Sequence, residues 1–378
     1  MRLEEPLLQQ LETPCIVIDM ACAARNIQSM QERVSACGCA LRPHIKTHKM
    51  QRFAQLQMEA GCEGITCAKV SEAEVMAAGG AEDIFIAYPL VGGFRIRRAL
   101  ALLPKVRRLI LAVDSLECAR PLEQAAAEQG VVLEVRLEVD TGAKRTGVVY
   151  GHALALARDV AALPHLNLTG IYTFKSLLLH GAPTQDNAAA AKEEAELLAR
   201  LADGLRGAGI PIRDISAGST PTGLEAAKTG LVTEVRPGTY VFNDYMVCME
   251  RAAEFSDVAA LLYATVVSTP APDYAVIDGG TKTFPMDILL DAPPYAYPGY
   301  ALPLGPNGLP DENLQLRRMN EEHGILTAKN GKTGLRVGQV IPLMPIHICP
   351  AVNLQNQVYL LENGSLTLQK VDARGMLQ

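Results

Sequence analysis

Residues 133–174, LEVRLEVDTGAKRTGVVYGHALALARDVAALPHLNLTGIYTF, decide the fold. An apolar β-type run at 133–140 is followed by helical spacing at 152–162 and a second β-type run at 168–174, the pattern of a strand, a helix and a parallel strand. The alternation continues outward in both directions. From 40 to 242 it gives β-type runs at 40–46, 64–69, 83–88, 109–114, 133–140, 168–174, 214–220 and 234–242, with Ala-rich helical stretches such as 71–78, 115–129 and 187–208 between them. Several of these stretches follow a Ser, Asp or Gly suited to starting a helix. Eight consecutive units predict an α/β fold of the (β/α)8 TIM-barrel type rather than an open doubly wound sheet.

After about residue 255 the texture changes to short β-type runs punctuated by Pro and Gly, among them LLYATVVSTP, YAVIDGG, GLRVGQVIPLMP, NQVYLLENG and SLTLQKV, which predict a C-terminal β domain. The stretch 293–310 lacks periodicity and reads as a long ordered loop or a flexible cover. The 378 residues therefore divide into a barrel over 20–255 and a β domain over 256–378.

Hydrophobic residues at 49% fill a large core, and a net charge of −6 gives no basic footprint for nucleic acid or anionic lipid. The N-terminus MRLEEPLLQQ is acidic, and no apolar run reaches the roughly 18 residues of a membrane span, so the expectation is a cytoplasmic protein with a small-molecule partner. The nine cysteines have no framework spacing and read as reduced, mostly buried side chains; Cys37 and Cys39 lack a second pair to complete a zinc site.

In such barrels the reacting groups collect where the strands end. The residues at those predicted ends are unusually cationic: His44, Lys46, His48 and Lys49 after the first, Lys69 after the second, Asp140 with Arg145 after the fifth, and Lys175 after the sixth. The seventh ends in Ser216-Ala217-Gly218-Ser219-Thr220, and the eighth carries Arg236, Gly238 and Tyr240. Gly218-Ser219-Thr220 reads either as a phosphate cradle, with backbone N–H groups and hydroxyls facing an anion, or as an ordinary turn with a helix cap. Lys46 reads either as a nucleophilic amine at an inward strand end or as a surface lysine in the basic run HIKTHK. In PIHICP, at 345–350, an extended backbone would project His347 and Cys349 to one face, where they could share a divalent cation; a core Cys beside a satisfied His is the other reading.

Taken together, TPCIVID at 13–19, LRPHIKTHK at 41–49, CAKVSEAEVMAAGG at 67–80, VDTGAKRTGV at 139–148, SAGSTPT at 216–222, EVRPGTYVF at 234–242, EEHGIL at 321–326 and HICPAVNL at 347–354 form an ordered set. This set resembles the fold-type III pyridoxal phosphate enzymes, and within them the D-threonine aldolase and D-serine dehydratase family. The resemblance implies that Lys46 carries pyridoxal 5′-phosphate as an imine, that Gly218, Ser219 and Thr220 hold the phosphate, and that Arg236 faces the pyridine nitrogen. His44, Arg145, Tyr172 and Tyr240 would complete the cofactor site. It also implies that the β domain takes in 1–19, that the chain forms a homodimer, and that a divalent metal sits on His347 and the residue two positions on. His-x-Cys, with Cys349 as a soft thiolate, is similar to the dehydratases and suits Zn2+ over Mn2+ or Mg2+, whereas His-x-Asp is similar to the aldolases.

Two departures concern the substrate. Tyr172-Thr173-Phe174-Lys175-Ser176 stands where many relatives have a Gly-His pair, and Ile346 precedes the metal histidine in place of Asn. Lys175 is therefore a candidate for an anionic group, either the cofactor phosphate or a second carboxylate on the substrate. The implied reaction is metal-assisted dehydration of a D-β-hydroxy amino acid such as D-serine or D-threonine to a keto acid and ammonia, with Lys46 as the base. Aldol cleavage to glycine and an aldehyde is the alternative. An amino acid racemase, which has no need of the His-Cys pair, and a non-catalytic pyridoxal phosphate-binding protein, whose single-barrel relatives lack a second domain, are the remaining readings.

Overall fold

The eight expected units form, but six of the strands end earlier than the β-type runs suggest, the third and fifth excepted. The computed structural model describes residues 3–305 and 307–378. Its barrel strands are Ala40–Leu41, Ile65–Cys67, Asp83–Pro89, Arg108–Val113, Leu133–Asp140, Leu166–Tyr172, Asp214–Ala217 and Glu234–Val235. Each pairs in parallel with its sequence neighbour, apart from the first and second. The ring closes where Glu234 lies opposite Ala40, and where the first unit meets the second through the Thr66 N–H on Pro43 O at 2.8 Å. Pro43 has no N–H and so cannot extend the first ladder. The chain instead turns through a single 3-10 turn, Ile45–Thr47, which places Lys46 beyond the strand rather than in it. The sixth strand stops at Tyr172, and the seventh stops before Gly218, whose φ of +81° is left-handed.

The helices follow their sequence signals. Ser115 caps Leu116–Gln129 by accepting the Cys118 N–H at 3.3 Å, and the helix ends on Gly130 in the left-handed region. Asp186 caps Asn187–Gly207 by accepting the Ala189 N–H at 2.9 Å. The barrel interior has two layers. Near the strand starts lies an ionic layer: Arg42 binds Asp83 (2.6 Å) and Glu234 (2.7 Å), Arg136 binds Glu234 (2.6 Å) and Asp214 (3.0 Å), and Arg108 binds Glu134 (2.6 Å). Above it Phe85, Ile110, Ala112 and Tyr172 pack as an apolar cluster. Buried charges persist because each is matched by an opposite one.

Among the described residues the other unit comprises 3–26, 47–49 and 239–375. Its sheet is built around Ala260–Ala271, which pairs antiparallel with Cys15–Asp19, Tyr274–Ile277 and Val340–Pro345. The N-terminal strand Cys15–Asp19 is thus interior, with Gln357–Glu362 parallel on its other side. Asn363-Gly364, both at positive φ, turn that strand back into Ser365–Lys370. Within 293–310 the reading as a loop is corrected for Ala301–Pro303, which pairs with Val340–Pro345; residue 306 lies outside the described residues. All nine cysteines are free. Among the described residues no helix is long and apolar enough to cross a membrane.

Candidate active site

Each unit carries one cluster of chemically competent side chains. In the barrel unit they gather where the strands end. The Lys46 Nζ sits 5.7 Å from the centre of the Phe174 ring, and the Arg145 guanidinium sits 4.4 Å from the same ring. One aromatic face at the end of the sixth strand therefore relates the two cations. His44 Nδ1 accepts the Lys46 backbone N–H at 3.4 Å, and the His44 N–H donates to Pro237 O at 2.9 Å, which fixes the turn that presents the lysine.

Arg236 is buried. Its guanidinium donates to Ser216 Oγ and to Thr173 O (2.5 Å) and lies 5.1 Å from the Tyr172 ring centre. Burial pulls its pKa down from the ordinary arginine value, an effect that Glu234 and Glu194 only partly oppose. Tyr172 is oriented from below: its hydroxyl donates to Glu138 Oε2 at 2.9 Å, and its ring meets Phe85 edge-on at 5.0 Å. Burial raises the Glu138 carboxyl, which also accepts from Thr146 at 2.8 Å.

Gly218-Ser219-Thr220 forms a tight turn before the helix Gly223–Lys228. A Cβ on Gly218 would come within 2.6 Å of Gly223 Cα, so only glycine lets the turn fold this closely. Ser219 is tied to Thr222 Oγ1 through its N–H (3.0 Å) and its hydroxyl (2.9 Å). An amine, a cramped glycine turn with hydroxyls and a buried guanidinium, all at the strand ends, form a donor set that fits pyridoxal phosphate. Lys175, buried to 2% exposure, is ion-paired with Glu193, which also accepts the His180 N–H. The anion beside Lys175 is thus a carboxylate of the chain itself.

The second cluster lies in the β-rich unit. Contrary to the extended backbone expected for 345–350, the strand Val340–Pro345 ends there, His347 is the N-cap of the helix Ile348–Leu354, and Cys349 lies in its first turn. Pro350 is compatible with this because a first-turn N–H has no helical acceptor to lose. His347 Nδ1 is 2.6 Å from Asp287 Oδ2, leaving Nε2 for another partner. Thr47 Oγ1 lies 3.2 Å and Thr239 Oγ1 3.5 Å from the Cys349 sulfur. Burial opposes the charge on His347, but the Cys349 thiolate and Asp287 outweigh it and push the imidazole up to about 11. Burial likewise opposes the thiolate, and His347 outweighs that, so the Cys349 pKa falls. Asp244, its carboxyl held up to about 6 by burial, accepts the Ile348 N–H at 3.0 Å and the Val247 N–H at 2.9 Å, fixing the start of the helix. Among the described residues no group of three His, Cys, Asp or Glu side chains gathers as a metal cluster. An imidazole backed by a carboxylate and a low-pKa thiol fit a soft divalent cation with open positions.

Tyr240 is buried in the 3-10 turn Thr239–Val241 of this unit. Sequence reasoning missed Glu138, Glu193 and Asp287, for which single positions carry no local signal, and it named Ser216 and Phe174 without giving them a role. It also missed Glu194, for which a signal existed. Glu194 occupies the buried stripe Ala190, Ala191, Ala195, Leu198, Leu201, Ala202 and Leu205 of its helix, where the spacing calls for an apolar side chain.

Comparison with known proteins gives the family. The alanine racemase N-terminal domain matches residues 18–246, and the serine dehydratase domain matches 259–361. The chain is 34% identical to D-threo-3-hydroxyaspartate dehydratase of Delftia sp. strain HT23, over 90% of this chain and 92% of that one. It is 30% identical to D-threonine aldolase of Arthrobacter sp., over 97% and 94%. The solved structure of the Delftia dehydratase superposes with a TM-score of 0.87 at 32% identity, covering 96% of this chain and 98% of that one. A cysteine-to-alanine variant of that dehydratase has been solved in a metal-free form. The chain belongs to the fold-type III pyridoxal phosphate enzymes that join an alanine racemase N-terminal domain to a serine dehydratase domain.

Proposed function

We propose that this chain is a metal-assisted lyase that removes water and then ammonia from a D-β-hydroxy amino acid. The observation that carries this reading is the coupled pair of His347 and Cys349, with Asp287 behind the imidazole and Thr47, the residue after Lys46, beside the sulfur. Bound pyridoxal phosphate supplies an electron sink for charge at the substrate Cα, and a divalent cation, Zn2+ before Mn2+ or Mg2+, supplies a Lewis acid for the β-oxygen.

In this reading Lys46 would carry the cofactor, and its amine would be the group that moves the α-proton of the substrate. Gly218, Ser219 and Thr220 hold the phosphate, Arg236 faces the pyridine nitrogen, and His44, Arg145, Tyr172 and Tyr240 line the cofactor. His347 and Cys349 hold the cation. Lys175 serves an anionic group of the substrate or cofactor, in exchange for Glu193. The similarity to a dehydratase of which a cysteine variant has been solved in a metal-free form supports this assignment. Cleavage to glycine and an aldehyde is the second reading, favoured by the 30% identity to a D-threonine aldolase over almost the whole chain.

Incubation of the zinc-loaded protein with D-serine, D-threonine and D-3-hydroxyaspartate separates the two readings. Keto acid with ammonia is the expected product; glycine with aldehyde selects the second reading, and neither product from any substrate rejects both.

A further inference from the structure

Glu194 is used by no step above, yet its side chain is fully buried at 0% exposure and aimed at the anion turn. Oε2 accepts the Gly218 N–H at 3.3 Å, and Oε1 accepts the Lys175 N–H at 3.1 Å. One carboxylate thus pins the segments that follow the sixth and seventh strands. Two backbone donors require two acceptor oxygens, which a glutamine amide cannot supply. The next residue toward the N-terminus, Glu193, takes the Lys175 side chain, so consecutive glutamates hold Lys175 by both its backbone and its ammonium.

The Gly218 N–H is therefore tied to the protein, and the turn is held in place before anything enters it. Thr222 fixes the other side of the turn through Ser219. A carboxylate beside a phosphate seat would repel the ligand if fully charged. Burial first, only partly opposed by Arg236 and Lys175, holds its proton up to about 7, so the repulsion is muted near neutrality.

We propose that Glu194 is a positioning residue that preorganises the Gly218–Thr220 turn for the phosphate of the cofactor by tying it to the Lys175 segment. This rests on the assignment of pyridoxal phosphate to the barrel. The turn would bind phosphate without a folding cost at the moment of binding, so losing the tie should weaken ligands that carry phosphate and spare those that lack it.

The test is fluorescence titration of cofactor-stripped protein with pyridoxal phosphate and, separately, with pyridoxal. Glu194→Ala is expected to weaken pyridoxal phosphate by roughly tenfold or more while pyridoxal stays within about twofold. Glu194→Gln, which keeps the shape but only one acceptor oxygen and so can hold only one of the two segments, is expected to recover no more than part of the phosphate-dependent affinity. Equal weakening of both compounds by Glu194→Ala, or no weakening of either, overturns the proposal alone. Wild-type protein that binds neither compound removes the cofactor assignment and this inference with it.

Discussion

The Ser216 hydroxyl donates to Glu234 Oε1 at 2.6 Å, and this one contact joins the ionic layer of the barrel to the residues at its mouth. Ser216 also accepts from Arg236, while Glu234 is held by Arg42 and Arg136. Glu234→Gln leaves two buried guanidinium groups short of a counter-charge and should cost about 3–5 kcal/mol of stability. Urea denaturation of the wild type and the variant checks this, and a midpoint shift worth less than about 1 kcal/mol would show that the layer tolerates the loss of its central anion.

Two of the buried acids of the barrel unit, Glu234 and Glu194, should give pH dependences of opposite sign. Burial raises Glu234, but Arg136 and Arg42 outweigh it and depress its pKa, so its contribution is present above the unfolded value of about 4.3 and is lost as pH falls. Glu194 is raised to about 7, so the folded state keeps a proton that the unfolded chain releases. Between about pH 4.3 and 7 this group makes stability decline as pH rises, with no further loss above the folded value. Glu194→Gln should flatten that decline. Denaturation midpoints of both proteins at about pH 5 and pH 7.5 measure the difference, and parallel slopes would contradict a raised Glu194.

The fold was legible because the 3.6-residue and two-residue periodicities repeat over eight units, and local spacing reports burial directly. The strand ends were not, because Pro43 and the left-handed Gly218 stop ladders inside runs that remain apolar. Lys46, Arg236 and the Gly218 turn were legible as chemistry concentrated at strand ends. Their partners were not: Asp287 is 60 residues from His347, and Thr47 is 302 from Cys349, so only the folded chain reveals those contacts. The helical geometry of 348–354 was missed because Pro350 reads as a breaker unless it falls in a first turn.

Lys175 offers a test of substrate charge. Its ammonium is nearly inaccessible and paired with Glu193, so a second substrate carboxylate would have to replace that partner. If it does, Lys175→Ala should raise KM for D-3-hydroxyaspartate by roughly tenfold and change KM for D-serine by less than about threefold. Steady-state kinetics with both substrates decide it. Unchanged preference, with unchanged cofactor affinity, would leave Lys175 as an anchor for Glu193 only.

The His347–Cys349 pair makes the metal reading testable by exchange. A thiolate favours zinc, and an oxygen ligand at the same position favours harder cations. Exhaustive chelation with EDTA should abolish turnover, and zinc should restore it better than manganese or magnesium. Cys349→Asp should weaken the zinc response and raise the ratio of manganese-restored to zinc-restored activity by roughly tenfold. Asp287→Asn, which removes the carboxylate behind His347 Nδ1, should lower metal affinity by about 10–100-fold without altering which metal is preferred. Direct metal analysis by mass spectrometry after dialysis reads binding independently of turnover. Full activity in the chelated wild type, or zinc content unaffected by either substitution, would remove the cation from the reaction and leave His347 and Cys349 as a structural ion pair.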